Sequence, residues 1–187
     1  MFSNGSQFEA AFRSDPTAFY LLGRVTSVLL STAGVLVTYW LASLTFSRLT
    51  GLIAAAFLAA AFMDVRNAHY LIPDVALAFF VVLTVALACT GVKNKRLSFV
   101  YWAALAGGIT TAMKWTGLAV IAPIGLAGYF AAITSTSVNT KVIKTWLLAG
   151  MLFLSGFVLS APQVLLAPQL YMGETMNQRN AGRTAGF

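Results

Sequence analysis

Residues 73–90 read Pro-Asp-Val-Ala-Leu-Ala-Phe-Phe-Val-Val-Leu-Thr-Val-Ala-Leu-Ala-Cys-Thr, and this stretch decides the fold. It opens on a proline and an acid, then runs to Thr90 without a charge. As a helix it rises about 27 Å, close to the roughly 30 Å hydrocarbon core of a bilayer. Pro73 suits a first helical turn, and Asp74 is stabilised there by the helix dipole. The basic loop Gly91-Val92-Lys93-Asn94-Lys95-Arg96 closes the run. An apolar segment held between two charged ends is the pattern of a membrane span.

Five further apolar runs flank it. The first extends from about Pro16 to Phe46, with Ser14 or Asp15 placed to cap it. At about 46 Å it exceeds the hydrocarbon core, so its first turns, with Arg24, stand among headgroups. A short run from about Leu49 to Met63 follows the basic turn Ser47–Gly51. It spans only about 22 Å unless Asp64 to Arg66 continue the helix. The rest run from about Leu97 to Met113, Leu118 to Ile133 and Thr145 to Leu166. Lys114-Trp115-Thr116-Gly117 parts the first two of these, and Pro162 breaks the last late. The expectation is an all-α polytopic bundle of about six spans. It forms a single transmembrane domain over 1–187, with residues 1–15 as an interfacial lead-in.

Composition agrees. Of 187 residues, 59% are apolar and 9% charged, too few charges to cover a soluble globule. The net charge of +7 is spread over separate loops, which points to anionic membrane lipid or a phosphate-bearing lipid and away from nucleic acid. The N-terminus has neither the basic nor the apolar region of a signal peptide. Cys89, the one cysteine, lies in an apolar run and reads as a packing residue. Orientation is expected from the loops. One end of the bundle holds Arg48, Lys93, Lys95, Arg96, Lys141 and Lys144, with no acid in those short loops. The other holds as many basic residues together with Glu9, Asp15, Asp64, Asp74 and Glu174. The acid-free end is assigned to the cytoplasm.

The chemistry is expected at the acidic end, which also carries His69, Arg24 and Lys114. Ionisable groups beside spans are costly, so their gathering marks a candidate site, set against ordinary snorkelling loop charges. Asp74 is either a helix-start acid or a metal ligand or donor contact. His69 is either a surface histidine or a ligand for phosphate or a sugar hydroxyl, and Asp64 has the same two readings. Lys114 is a point charge for an anionic headgroup, and the planar fork of Arg24 suits phosphate. Gly107-Gly108 reads as a helix-packing notch. Phosphate-loop, zinc and nucleophile-elbow motifs do not occur.

Several segments resemble a known family. Asp15-Pro16 with Leu22-Gly23-Arg24-Val25-Thr26-Ser27 and the long helix behind it is similar to a span of GT-C type glycosyltransferases that use lipid-linked sugars. The nearest resemblance is to the dolichyl-phosphate-mannose protein mannosyltransferase and bacterial ArnT/Rgt-like group. His69-Tyr-Leu-Ile-Pro-Asp74 resembles that group's second outward loop, where an acid opens the next span. Ala106-Gly107-Gly108 through Met113-Lys114-Trp115-Thr116-Gly117 and Ser160-Ala161-Pro162 resemble later segments in the same order. The likeness covers about residues 12–175.

The resemblance implies transfer of a sugar, a hexose such as mannose, from a polyprenyl-phosphate donor to a protein, lipid or glycan acceptor at the outer membrane face. It implies a multi-pass protein of the bacterial or archaeal plasma membrane, or of the endoplasmic reticulum in a eukaryote. Asp74 and His69 are then the candidate catalytic residues, and Arg24, Lys114 and Asp64 the candidate substrate-binding ones. A divalent metal ion is a candidate cofactor, with Asp74 as its ligand. The family also has an earlier span with an acidic loop and further spans later. The chain is therefore expected to be an internal piece, inactive alone. The alternatives are a transporter segment and a non-catalytic fragment.

Overall fold

A computed structural model describes residues 10, 12–70, 73–133, 138–169, 171–173 and 176–177. Most of the expected lead-in over residues 1–15 lies outside them. Among the described residues there is no strand. The helices are α1 (Thr17–Thr45), α2 (Arg48–Ala59), α3 (Phe62–Ala68), α4 (Pro73–Lys93), α5 (Leu97–Met113), a 3-10 run (Trp115–Val120) leading into α6 (Ile121–Ala132), α7 (Val138–Ser160) and the short α8 (Gln163–Leu166). The chain is an all-α membrane bundle.

Four stretches among the described residues are long and apolar enough to cross a membrane: α1, α4, Trp115–Ala132 and Thr140–Ser160. The α2–α3 pair makes five if its two pieces are one span. This is fewer than the six expected, for two reasons. The pair is bent by 58° at its break. Helix α5 is apolar but has 17 residues, about 26 Å, because the backbone turns extended at Lys114 (φ −159°, ψ 138°).

Local chemistry sets the ends. Asp15 accepts a hydrogen bond from the Thr17 amide at 3.0 Å as α1 begins behind Pro16. Hydrogen bonds from Thr17, side chain first and backbone second, hold the Asp15 carboxyl below its usual range. The bond is therefore in place at neutral pH and is lost as pH falls through that lowered value. The Ser47 hydroxyl caps α2 by accepting from the Thr50 amide at 3.1 Å. Helix α4 ends in a Schellman turn. The Arg96 amide donates to Gly91 O (3.0 Å), the Lys95 amide to Val92 O (3.2 Å), and Lys95 is left-handed at φ 51°.

Inside the bundle the side chains are small. Ala86, Ala103, Ala104 and Val100 are fully buried, whereas Phe57, Leu159 and Leu166 are 75%, 78% and 83% exposed. A soluble core would place these the other way round; lipid accepts the large side chains and small ones let helices approach. The closest approach joins α5 to α7, the most extensive helix pair. A Cβ on Gly108 would overlap the Phe153 carbonyl oxygen, and one on Gly156 the Leu105 carbonyl oxygen. Buried hydroxyls are met within their own helices. Thr84, Thr90, Thr110 and Thr111 donate to the carbonyls four residues back, at 2.7, 2.7, 2.7 and 3.0 Å.

Gly108→Val is expected to destabilise the bundle by about 1–3 kcal/mol, through forced separation of α5 and α7. Gly150→Ala, on the same helix as Gly156 but with nothing within 4 Å of the added Cβ, is the control. Unfolding in mixed detergent micelles measures both. Equal midpoints would refute the backbone contact.

Candidate functional site

Asp74 lies in the first turn of α4, where Pro73 starts the helix and the dipole favours a carboxylate. Lys114 sits where α5 gives way to the 3-10 run, on extended backbone that turns its side chain out of the α5 register. The buried Gly117 makes the tight return possible: its amide donates to Lys114 O at 2.8 Å, and a Cβ there would overlap Thr110 O. The two side chains meet. Lys114 Nζ donates to Asp74 Oδ1 at 2.9 Å, each side chain about half exposed (51% and 49%). This ion pair closes a separation of 40 residues in sequence. Beside it, Trp115 packs on Phe157 with ring centroids 6.2 Å apart.

Asp64 and His69 form a second group. The α2 helix stops at Ala60, and Asp64 lies on α3 rather than on a straight continuation. No glycine or proline occurs at the break. The bent piece is held by a bond from α1 and by a contact of its own. Ser31 Oγ donates to Asp64 Oδ2 at 2.6 Å in a part-buried position, and the Arg66 guanidinium lies 5.9 Å from the Phe62 ring centroid. His69 Nδ1 lies 2.7 Å from Val65 O. A carbonyl only accepts, so Nδ1 carries a proton, and in the neutral tautomer Nε2 is the free lone pair. Asp64 and His69 line a cavity of about 420 Å³ with Ser31 and Thr32 of α1.

Arg24 joins neither group. It is exposed, seven residues before Ser31 on α1 (about 10 Å along the axis), with no hydrogen-bond or ion-pair partner among the described residues. The 420 Å³ cavity is lined by neither Arg24, Asp74 nor Lys114. The five candidates thus share one end of the bundle as a pair, a cavity and a free cation. Among the described residues no three His, Cys, Asp or Glu side chains come together to hold a metal. Asp74 faces a lysine, an unsuitable neighbour for a cation, so no step below is routed through a metal.

Ser31 is the residue that the charge pattern does not disclose. Its signal is a small and polar stripe on α1: Ser27, Ser31, Gly34 and Thr38 recur at helical spacing on one face. Ser27 and Gly34 are buried, and Thr38 Oγ1 is a buried oxygen with no partner. In lipid such a face seeks polar contacts, and Asp64 supplies one.

A double-mutant cycle of Ser31→Ala and Asp64→Asn is expected to show a coupling of about 0.5–2 kcal/mol in micelle unfolding. Strict additivity would show that the bond does not hold α3 to α1.

No curated protein and no solved structure matches the chain. The profile of the dolichyl-phosphate-mannose-protein mannosyltransferase family matches residues 7–163, a stretch that contains both groups and Arg24. With most of its length matched, the chain belongs to the dolichyl-phosphate-mannose-protein mannosyltransferase family.

Proposed function

We propose that the chain is part of a membrane glycosyltransferase that moves a hexose, mannose first among them, from a polyprenyl- or dolichyl-phosphate donor to a hydroxyl of a protein acceptor. The acidic end of the bundle is the reacting face, outside the cytoplasm. The observation that carries this reading is the half-exposed Lys114–Asp74 pair at the acidic end of the bundle. In the reaction the bond from the anomeric carbon to the phosphate oxygen breaks, and a bond to the acceptor oxygen forms. The departing lipid phosphate gains charge, and the acceptor hydroxyl loses a proton.

Lys114 suits the first need. Asp74 takes one of its three N–H donors and fixes its direction, leaving two for phosphate oxygens. Arg24, unpaired and exposed, adds a second cation above the bilayer core. The second need falls to a carboxylate or imidazole within reach of the acceptor. Asp74 keeps Oδ2 for this, and His69 offers Nε2 from the neighbouring cavity. Asp64, held by Ser31, shapes that cavity for sugar hydroxyls.

One observation favours a transporter instead. Asp64 lies on a broken helix pair, an arrangement that transporters use at their binding sites. The family membership weighs against it.

In membranes carrying the full-length enzyme, transfer of radiolabelled mannose from dolichyl phosphate to an acceptor peptide is the assay. Asp74→Asn is expected to lower turnover by about 10²–10⁴-fold and Lys114→Ala by about 10²–10³-fold. Wild-type rates in both variants would sink the assignment. Flux of free sugar across vesicles without transfer would favour the transporter.

A further inference from the structure

At the opposite end of the bundle, α1, α4 and α6 diverge and leave a groove of about 530 Å³. Leu44, Cys89, Pro123, Leu126 and Phe130 line it with apolar surface, and Lys93 is its one charged residue. Leu126 and Phe130 are 59% and 55% exposed, so the groove is open sideways to the bilayer. Helix α4 fixes its depth. At 21 residues, about 31 Å, it reaches from one headgroup layer to the other, and Lys93 ends it opposite Asp74.

Lys93 Nζ donates to Leu44 O at 2.6 Å, at the last turn of α1. An ammonium has three N–H groups, so two remain for another acceptor. Two more cations follow at once. Lys95 occupies the left-handed position of the Schellman turn, which glycine usually fills, and Arg96 follows; both are exposed. Residues 46–50, 91–96 and 138–144, where helices end or begin at this end, include no acid. An apolar slot open to lipid, with cations and no counter-charge at its mouth, is complementary to one molecule class.

We infer that this groove binds a single anionic phospholipid, with its phosphate on Lys93 and the Lys95–Arg96 turn and an acyl chain along Cys89, Pro123 and Phe130. Basic pockets between transmembrane helices recognise lipid phosphates in this way. The site is separate from the proposed reacting face and does not depend on that reading.

The test is native mass spectrometry of the chain released from micelles doped equally with phosphatidylglycerol and phosphatidylcholine of the same acyl chains. One phosphatidylglycerol should be retained in preference. Lys93→Gln should weaken its retention about fivefold. Lys93→Arg should keep it, because the charge and the Leu44 contact survive. Lys144→Gln removes a cation at the same end but outside the groove and should leave retention unchanged. Cys89→Phe fills the slot and should lower retention of both lipids. Circular dichroism confirms that each variant is folded. Equal retention of the two lipids overturns the inference. So does an equal loss in Lys93→Gln and Lys144→Gln, which would mean diffuse surface charge. Unchanged retention in a folded Cys89→Phe variant also overturns it. If Lys93→Gln does not fold, loss of the phosphatidylglycerol preference in Lys144→Gln, or unchanged retention in folded Cys89→Phe, overturns the inference.

Discussion

Hydrocarbon offers no hydrogen bond, so a polar atom within this bundle is satisfied only by a partner in the protein, which Thr38 Oγ1 and Ser43 Oγ lack. That constraint runs through the structure. Backbone groups are met in helices, and threonine hydroxyls turn back on the carbonyl four residues earlier. Solvent does not drive helices together here, so association rests on close contact of small residues. The approach of α5 to α7 at Gly108 and Gly156 is where this is most complete. Helices α4 and α6 then assemble on α5, which places the Lys114 turn above the first turn of α4.

The same constraint explains why Asp64 and Asp74 live differently. Asp74 stands at a helix start at one end of the bundle, half exposed, so its pairing with Lys114 is open to screening. Such a pair adds about 0–1 kcal/mol to stability, so it fixes the direction of the ammonium more than it holds the fold. Asp64 meets Ser31, which lies fourteen residues, about 21 Å, from the far end of α1. At that depth a carboxylate without a donor would be costly. The bent α3 brings the acid to the hydroxyl, and the cavity opens beside the bond.

Much of this was legible in the sequence. The bounds Leu97–Met113 could be read directly because a dense basic loop precedes α5 and Lys114 ends it. The gathering of Asp64, His69, Asp74, Arg24 and Lys114 at one end was expected from counting spans, and the structure joins Asp74 to Lys114 and sets Asp64 and His69 on one cavity. The break after Ala59 was not legible: Ala60 and Ala61 favour helix, and a tertiary bond to Ser31 holds the bent piece. Nor does linear order say that Lys114 chooses Asp74, forty residues away, while Arg24 stays apart. Those distances depend on how α5 seats against α4, which side-chain volume decides.

Helix α1 is the longest element, 29 residues and about 43 Å, yet only Ser27 and Gly34 are buried along it. It is tied to its neighbours at Ser31 by Asp64 and at Leu44 by Lys93, and both ties lie below Arg24. A helix longer than the hydrocarbon core adjusts to it by tilting. The tilt of α1 sets where Arg24 stands relative to the Lys114–Asp74 pair, so bilayer thickness becomes a geometric variable of the proposed reacting face.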